Sequence, residues 1–212
     1  MTTDMDKKNP QLEKWVSDFG NDYIHRNDLE DWKMPVGMEA FRRMIGDLTL
    51  QSILEVGSNI GLNLHFIDAL FQGRVSLHAV EPNSKAYAKL LEAPIQLKKA
   101  WNCDGFSLPP ADASMDLVFT NGVLIHVAPE DLGRITDEIV RVSARYILCS
   151  EYFSHEPEEK PYHNQSDLLF KRDFGAFYLD RYPFLKVVNY GFLWQREFPI
   201  FDNLNWWLFE KP

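Results

Sequence analysis

The sequence predicts an α/β domain with a Rossmann-like, mostly parallel sheet, helices on both faces and an antiparallel pair of strands at its end. Three observations predict it. Strand-like apolar runs alternate with helix-like ones through the middle of the chain, the pattern of parallel strands joined by crossover helices. The run Ser52-Ile53-Leu54-Glu55-Val56-Gly57-Ser58-Asn59-Ile60-Gly61-Leu62-Asn63-Leu64 reads as a buried strand that turns on glycines straight into a helix. The last two apolar runs, 185–194 and 205–209, are separated by only about ten residues, too few for a crossover helix, so they pair antiparallel.

The elements follow in order. Residues 1–9 are polar. From Pro10 a helix puts Leu12, Trp15, Val16 and Phe19 on one face, with Gly20 just past its end. Pro35 opens a second helix through Phe41, Met44, Ile45 and Leu48. Residues 1–48 therefore form a helical cap on a core of 49–212, all within one domain. After strand 52–57, a helix from Ile60 to Phe71 turns Leu62, Phe66, Ile67 and Leu70 inward. Strand 75–80 leads to a helix carrying Ala86, Tyr87, Leu90 and Leu91, then a strand at about 95–101 and another at 115–120. Pro129 stands at the next helix start, with Glu130 and Asp131 in the first turn facing the positive end of the dipole. Leu132, Ile135, Ile139 and Val142 form its buried face, and 146–150 is the fifth strand. Residues 153–166, with Pro157 and Pro161, read as a loop, followed by a helix bearing Leu168, Leu169, Phe174 and Phe177.

Length and composition narrow the class. The 212 residues suit one self-sufficient core; 45% are hydrophobic and 25% charged, and no apolar run approaches the roughly 20 residues that cross a bilayer. The polar first ten residues lack the apolar centre of a signal peptide. With Cys103 and Cys149 as its only cysteines, the chain has neither a disulfide framework nor a zinc cluster, which places it in the cytoplasm. Net charge is −9, from 31 acids against 22 bases, without a basic stripe, so nucleic acid is a poor partner and a small molecule a better one.

In an open α/β sheet, ligands bind beyond the carboxyl ends of the strands. The turn after the first strand offers Glu55, Gly57, Ser58, Asn59 and Gly61, where backbone without Cβ can lie against a ligand. Glu81, twenty-four residues after Gly57, ends the second strand, where a carboxylate accepts both hydroxyls of a ribose; Pro82 and Asn83 adjoin it. Trp101 and Asn102 end the third strand, and Asn121, Gly122 and Val123 the fourth. The spacing is Glu-x-Gly-x-x-x-Gly, with Asn59 in place of the middle glycine of a dinucleotide turn, so room for a pyrophosphate is lacking. The competing structural account is an ordinary strand-to-helix turn. His126 follows the fourth strand and is the best-placed base, since imidazole titrates near neutrality. Glu151 and Tyr152, after the fifth strand, are the other catalytic candidates; each of the three can equally be a core residue. His155, His163 and the nearby carboxylates lack metal-ligand spacing, so no metal is expected.

The Glu55–Gly61 pattern resembles the first motif of class I S-adenosylmethionine (SAM) dependent methyltransferases. The resemblance implies SAM as cofactor and S-adenosylhomocysteine as product, with adenine recognition moved to Asn102 or Asp104, because the usual Gly-Asp-Ala after the third strand reads Ala100-Trp101-Asn102 here. A narrower likeness is to the methylases associated with pseudaminic acid biosynthesis. It runs through Phe19-Gly20-Asn21-Asp22-Tyr23-Ile24-His25-Arg26-Asn27, the Glu55–Leu64 turn, 122–132, 145–152, 177–192 and 205–211, while the loop 102–110 is longer than in that group. The resemblance implies that the cap covers the site with Tyr23, Arg26 and Asn27, Arg26 pairing with a carboxylate of acceptor or cofactor. A latch of helix to core is the competing account. Tyr23, Arg26 and His163 are the substrate-contact candidates. The expectation is a methyltransferase acting on oxygen or nitrogen of a small polar metabolite, an acidic amino sugar included. A SAM-binding sensor without chemistry is the alternative. The aromatic end of the chain, with Trp194, Trp206, Trp207 and Phe209, supplies either core or the surface of a homodimer.

Overall fold

The computed structural model describes residues 9–17, 20, 21, 24, 29–162 and 165–212. A seven-stranded sheet runs in the order β3-β2-β1-β4-β5-β9-β8. Its strands are β1 (Ser52–Val56), β2 (Ser76–Val80), β3 (Leu97–Trp101), β4 (Met115–Asn121), β5 (Ser143–Glu151), β8 (Lys186–Leu193) and β9 (Leu204–Glu210). The pairs among β1 to β5 are parallel, whereas β9 is antiparallel to both β5 and β8. The order reverses between β1 and β4, which opens the crevice where such sheets bind ligands.

Two cores form because the central strands are apolar on both faces. On one face lie α2 (Lys33–Ile45) and α3 (Leu62–Phe71), whose Phe41 and Phe66 meet Phe119 of β4 and Phe201 of the β8–β9 connection. The other face is covered by α5 (Leu132–Val142) and α6 (Phe174–Arg181), where Ile135, Ile139, Phe174 and Tyr178 pack on Val118, Ile147 and Phe209. Two further helices are α1 (Pro10–Trp15) and α4 (Ser84–Glu92).

Several expectations require correction. Residues 153–166 are not a plain loop and no helix begins at Leu168. Instead β6 (Glu158–Tyr162) and β7 (Gln165–Lys171) form an antiparallel hairpin of their own. Pro161 sits in β6 at the register shift between Lys160 and Tyr162, where a residue lacking an N–H does least harm to a ladder. The apolar run around Leu169 is too short for its period to separate strand from helix. The helix starts only at Phe174, where the Asp173 carboxylate accepts from the Ala176 N–H at 2.8 Å. The α3 helix begins at Leu62 rather than Ile60, because Gly61 is left-handed at φ 85°. Pro129 lies ahead of α5, which starts at Leu132, and Pro35 is the third residue of α2, still within the first turn that tolerates proline.

Candidate active site

At the crevice the chain leaves β1 through three left-handed residues, Gly57 (φ 78°), Asn59 (φ 49°) and Gly61 (φ 85°). Asparagine is among the few side chains that accept this conformation, so Asn59 does the backbone work of a glycine. The Gly57 and Ser58 N–H groups both donate to the Val80 carbonyl, at 2.8 and 3.0 Å, tying the turn to the end of β2. A Cβ on Gly57 would stand 2.6 Å from Val123 Cγ2, so the turns after β1 and β4 can close together only with glycine here.

Glu81 faces this turn. Its two carboxylate oxygens accept the backbone N–H groups of Asn59 and Asn83, each at 2.7 Å. Burial pushes its pKa up to about 7 despite those bonds. Asn83 extends the contact outward: its carbonyl oxygen caps α4 through Lys85 and Ala86, and its amide donates to the Trp15 carbonyl (2.9 Å) and Asn21 Oδ1 (3.1 Å). The first helix is thereby pinned over the cavity, with Asn9 held to Asp131 at 2.9 Å.

The far wall is built by β4, β5 and the β8–β9 connection. The Glu151 carboxylate, fully buried, accepts three consecutive backbone N–H groups from Val123, Leu124 and Ile125 at 3.2, 3.1 and 3.3 Å. Desolvation raises its pKa to about 7 as well. The short 3-10 turn Leu124–His126 thus hangs from Glu151, and His126 lies against the Trp15 ring with centroids 4.5 Å apart. The Tyr152 hydroxyl donates to Asp202, and the Lys171 ammonium sits 4.9 Å over the Tyr152 ring.

A cavity of about 250 Å³ results. Of the residues singled out from the sequence, Gly57, Ser58, Asn59, Glu81, Pro82, Asn83, Asn121, Gly122, Val123, His126 and Tyr152 line it. Five others stand behind the lining. Glu55 is buried beneath the turn, accepts from Asn63 at 2.7 Å, and is held well above the usual carboxylate range by desolvation. Gly61 packs toward Leu90. Asn102 donates to the Glu81 and Pro82 carbonyls, at 2.8 and 3.1 Å, and so locks the β2–α4 turn. Trp101 stacks near His78, with ring centroids 6.1 Å apart. Glu151, a predicted catalytic group, accepts three backbone N–H groups and is not among the lining residues. Tyr23, Arg26, Asn27 and His163 lie outside the described residues.

The cavity also includes residues the sequence reading passed over as ligand contacts: Trp15, Asn63, Phe106, Phe201 and Asp202. Asn63 was signalled by its place in the first turn of the glycine-led helix. Asp202 had no signal, being an acid in a loop between two strands. Two acceptors in the lining residues, Asn59 Oδ1 and Asn121 Oδ1, are buried without a hydrogen-bond partner. The charged side chains lining the cavity are Glu81 and Asp202, and among the described residues no lysine or arginine joins them. That donor-seeking, cation-poor set suits hydroxyls and an amine and offers a phosphate no lysine or arginine among the described residues.

A family model described as a methyltransferase domain matches residues 54–145. No curated protein sequence matches the chain. Among solved structures, the 1,6-didemethyltoxoflavin-N1-methyltransferase of Burkholderia thailandensis, with bound 1,6-didemethyltoxoflavin and S-adenosylhomocysteine, is similar at TM-score 0.68 and 17% identity, covering 98% of this chain and 92% of that one. The magnesium protoporphyrin IX methyltransferase of Synechocystis PCC 6803, with bound SAM, is similar at TM-score 0.67 and 11% identity, over 98% and 99%. The cyclase SpnF is similar at TM-score 0.65 and 11% identity, over 82% and 79%, so the architecture also carries other chemistry. The matched segment runs from β1 to the start of β5, and the chain as a whole has the Rossmann-like fold of class I methyltransferases.

Proposed function

We propose that this protein is a SAM-dependent methyltransferase that moves a methyl group to oxygen or nitrogen of a small polar metabolite, with acidic amino sugars within that range. The observation that carries the reading is Glu81: a buried carboxylate, at the end of the second strand, facing a left-handed turn across a cavity free of cationic side chains among the described residues. The family match over the same segment and the SAM- and S-adenosylhomocysteine-bound structures of like fold support it.

In this reading Glu81 accepts the ribose hydroxyls, exchanging the Asn59 N–H for them. Gly57 and Gly122 admit the cofactor close to backbone, and Asn59 and Asn121 offer acceptors to its amine. Bound SAM supplies a methyl already activated on a sulfonium. The chain's tasks are then alignment, exclusion of water and removal of one proton from the acceptor. Trp15 covers the site from α1. His126 and Tyr152, the latter backed by Asp202, line the cavity where they can take that proton. Glu151 holds the turn that carries Val123 and His126.

Calorimetry of the purified chain with S-adenosylhomocysteine tests the cofactor, the expected result being saturable binding that Glu81→Gln weakens a hundredfold or more. Incubation with methyl-labelled SAM and an extract of its host then identifies what gains the methyl. Absence of any binding sinks the reading; binding without any methylated product assigns a sensor in its place.

A further inference from the structure

We propose that the β8 edge of the sheet is the seat of a second copy of this chain, joined through a two-fold axis. The sheet has two edges, and they are built differently. An open edge offers unpaired N–H and C=O groups to any passing strand, and proteins blunt it with charge, above all lysine, or with proline. The β3 edge follows this rule: Lys98 and Lys99 sit exposed in the middle of a five-residue strand. The β8 edge breaks it. Its eight residues, Lys186-Val187-Val188-Asn189-Tyr190-Gly191-Phe192-Leu193, carry one charge, at the first position, and no proline. In the sheet β8 is bonded only to β9.

Apolar side chains are exposed along it as well. Val187, Tyr190 and Phe192 pair with Phe209, Trp207 and Asn205 of β9, alternate residues of that strand, so they share one face of the sheet. Tyr190 is 72% exposed and Phe192 and Trp194 each 52%. An aromatic buries about 150–250 Å² when fully covered, so at these exposures the row still offers roughly 250–450 Å² per copy. Two copies sharing it bury roughly 500–900 Å² of side chain, and the newly paired strand backbone brings the total toward the roughly 1,000 Å² that a specific interface needs. A second copy is the occupant that answers both features at once. A two-fold through Tyr190 pairs β8 antiparallel with the same strand, completes the open ladder, and lays Tyr190 and Phe192 against the same row of the other copy. The exposed row on β8 is separate from the cavity, since no residue of β8 lines it.

Sedimentation velocity from low to high micromolar concentration tests this. The wild-type chain is expected at twice the monomer mass, as is a control with Leu91→Lys, an exposed leucine on α4 remote from the edge. The double variant Tyr190→Lys, Phe192→Lys is expected at monomer mass, with dissociation at least tenfold easier and with unchanged S-adenosylhomocysteine binding as evidence of folding. A wild-type chain that stays monomeric overturns the proposal, and so does a folded double variant that stays dimeric. Should the double variant fail to fold, hydrogen exchange on the wild type decides. Protection of β8 amides that rises with protein concentration supports the interface; protection independent of concentration overturns it.

Discussion

Two buried glutamates divide the cavity between them, and their contrast explains its two halves. Glu81 and Glu151 each end a central strand, each accepts backbone N–H groups, and each is pushed to about pH 7 by burial. Glu81 nevertheless lines the cavity, whereas Glu151 lies behind it, fully occupied with Val123, Leu124 and Ile125. The first keeps a face toward the cavity; the second braces the turn behind it. A strongly shifted carboxyl is therefore no sign of chemistry unless its oxygens can reach the ligand.

The largest effect expected from breaking this contrast is at Glu151. Its replacement by alanine leaves three buried N–H groups without acceptors, at about 1–3 kcal/mol each. A loss of roughly 3–5 kcal/mol in urea unfolding is expected, while Glu151→Gln keeps one acceptor and loses less. Next is Glu81→Gln, which leaves one acceptor where the proposed function needs two for the ribose hydroxyls. The expected cost is about 3 kcal/mol of S-adenosylhomocysteine affinity, a hundredfold or more in Kd by calorimetry, with a smaller loss of stability, about 1–3 kcal/mol, because glutamine keeps an acceptor for only one of the Asn59 and Asn83 N–H groups. Loss of cofactor affinity at Glu151→Gln equal to that at Glu81→Gln would erase the distinction.

Acidity offers a third handle. The folded pKa of each group, about 7, exceeds the 4.5 of an ordinary glutamate. Between those values the folded state holds a proton that the unfolded state has released. The contribution of each group to stability is thus fullest below about pH 4.5 and is lost as pH rises through 7, by about 3 kcal/mol per group. Urea midpoints measured across that window should fall less steeply in Glu81→Gln and Glu151→Gln than in the wild type. The smallest effect is expected at Asn83→Ala, which removes the α4 cap and the tie to Trp15. About 1 kcal/mol of stability is expected to go, with a few-fold loss of S-adenosylhomocysteine affinity as α1 loosens.

The same division marks what could be read in advance. The half around Glu81 was legible because its signals are local: glycines within a thirteen-residue run, and an acid at a fixed distance beyond. The family match covers this half and stops before Glu151, Tyr152 and Asp202. The other half is assembled from β5, the β8–β9 connection and α1. Asp202 and Tyr152 are fifty residues apart, and neither carries a local pattern that foretells the other.

Periodicity, punctuation and spacing determined the parallel core, the antiparallel ending, the left-handed turn and the acid opposite it, because each follows from interactions among neighbours in the chain. Only the tertiary structure decided that Glu151 serves backbone, that Asn102 locks a turn, that Trp15 roofs the cavity and that residues 158–162 pair with 165–171. Those outcomes depend on which polar groups find partners once distant segments meet. A buried donor or acceptor must be satisfied by whatever stands beside it, and its position in the sequence does not say what that will be.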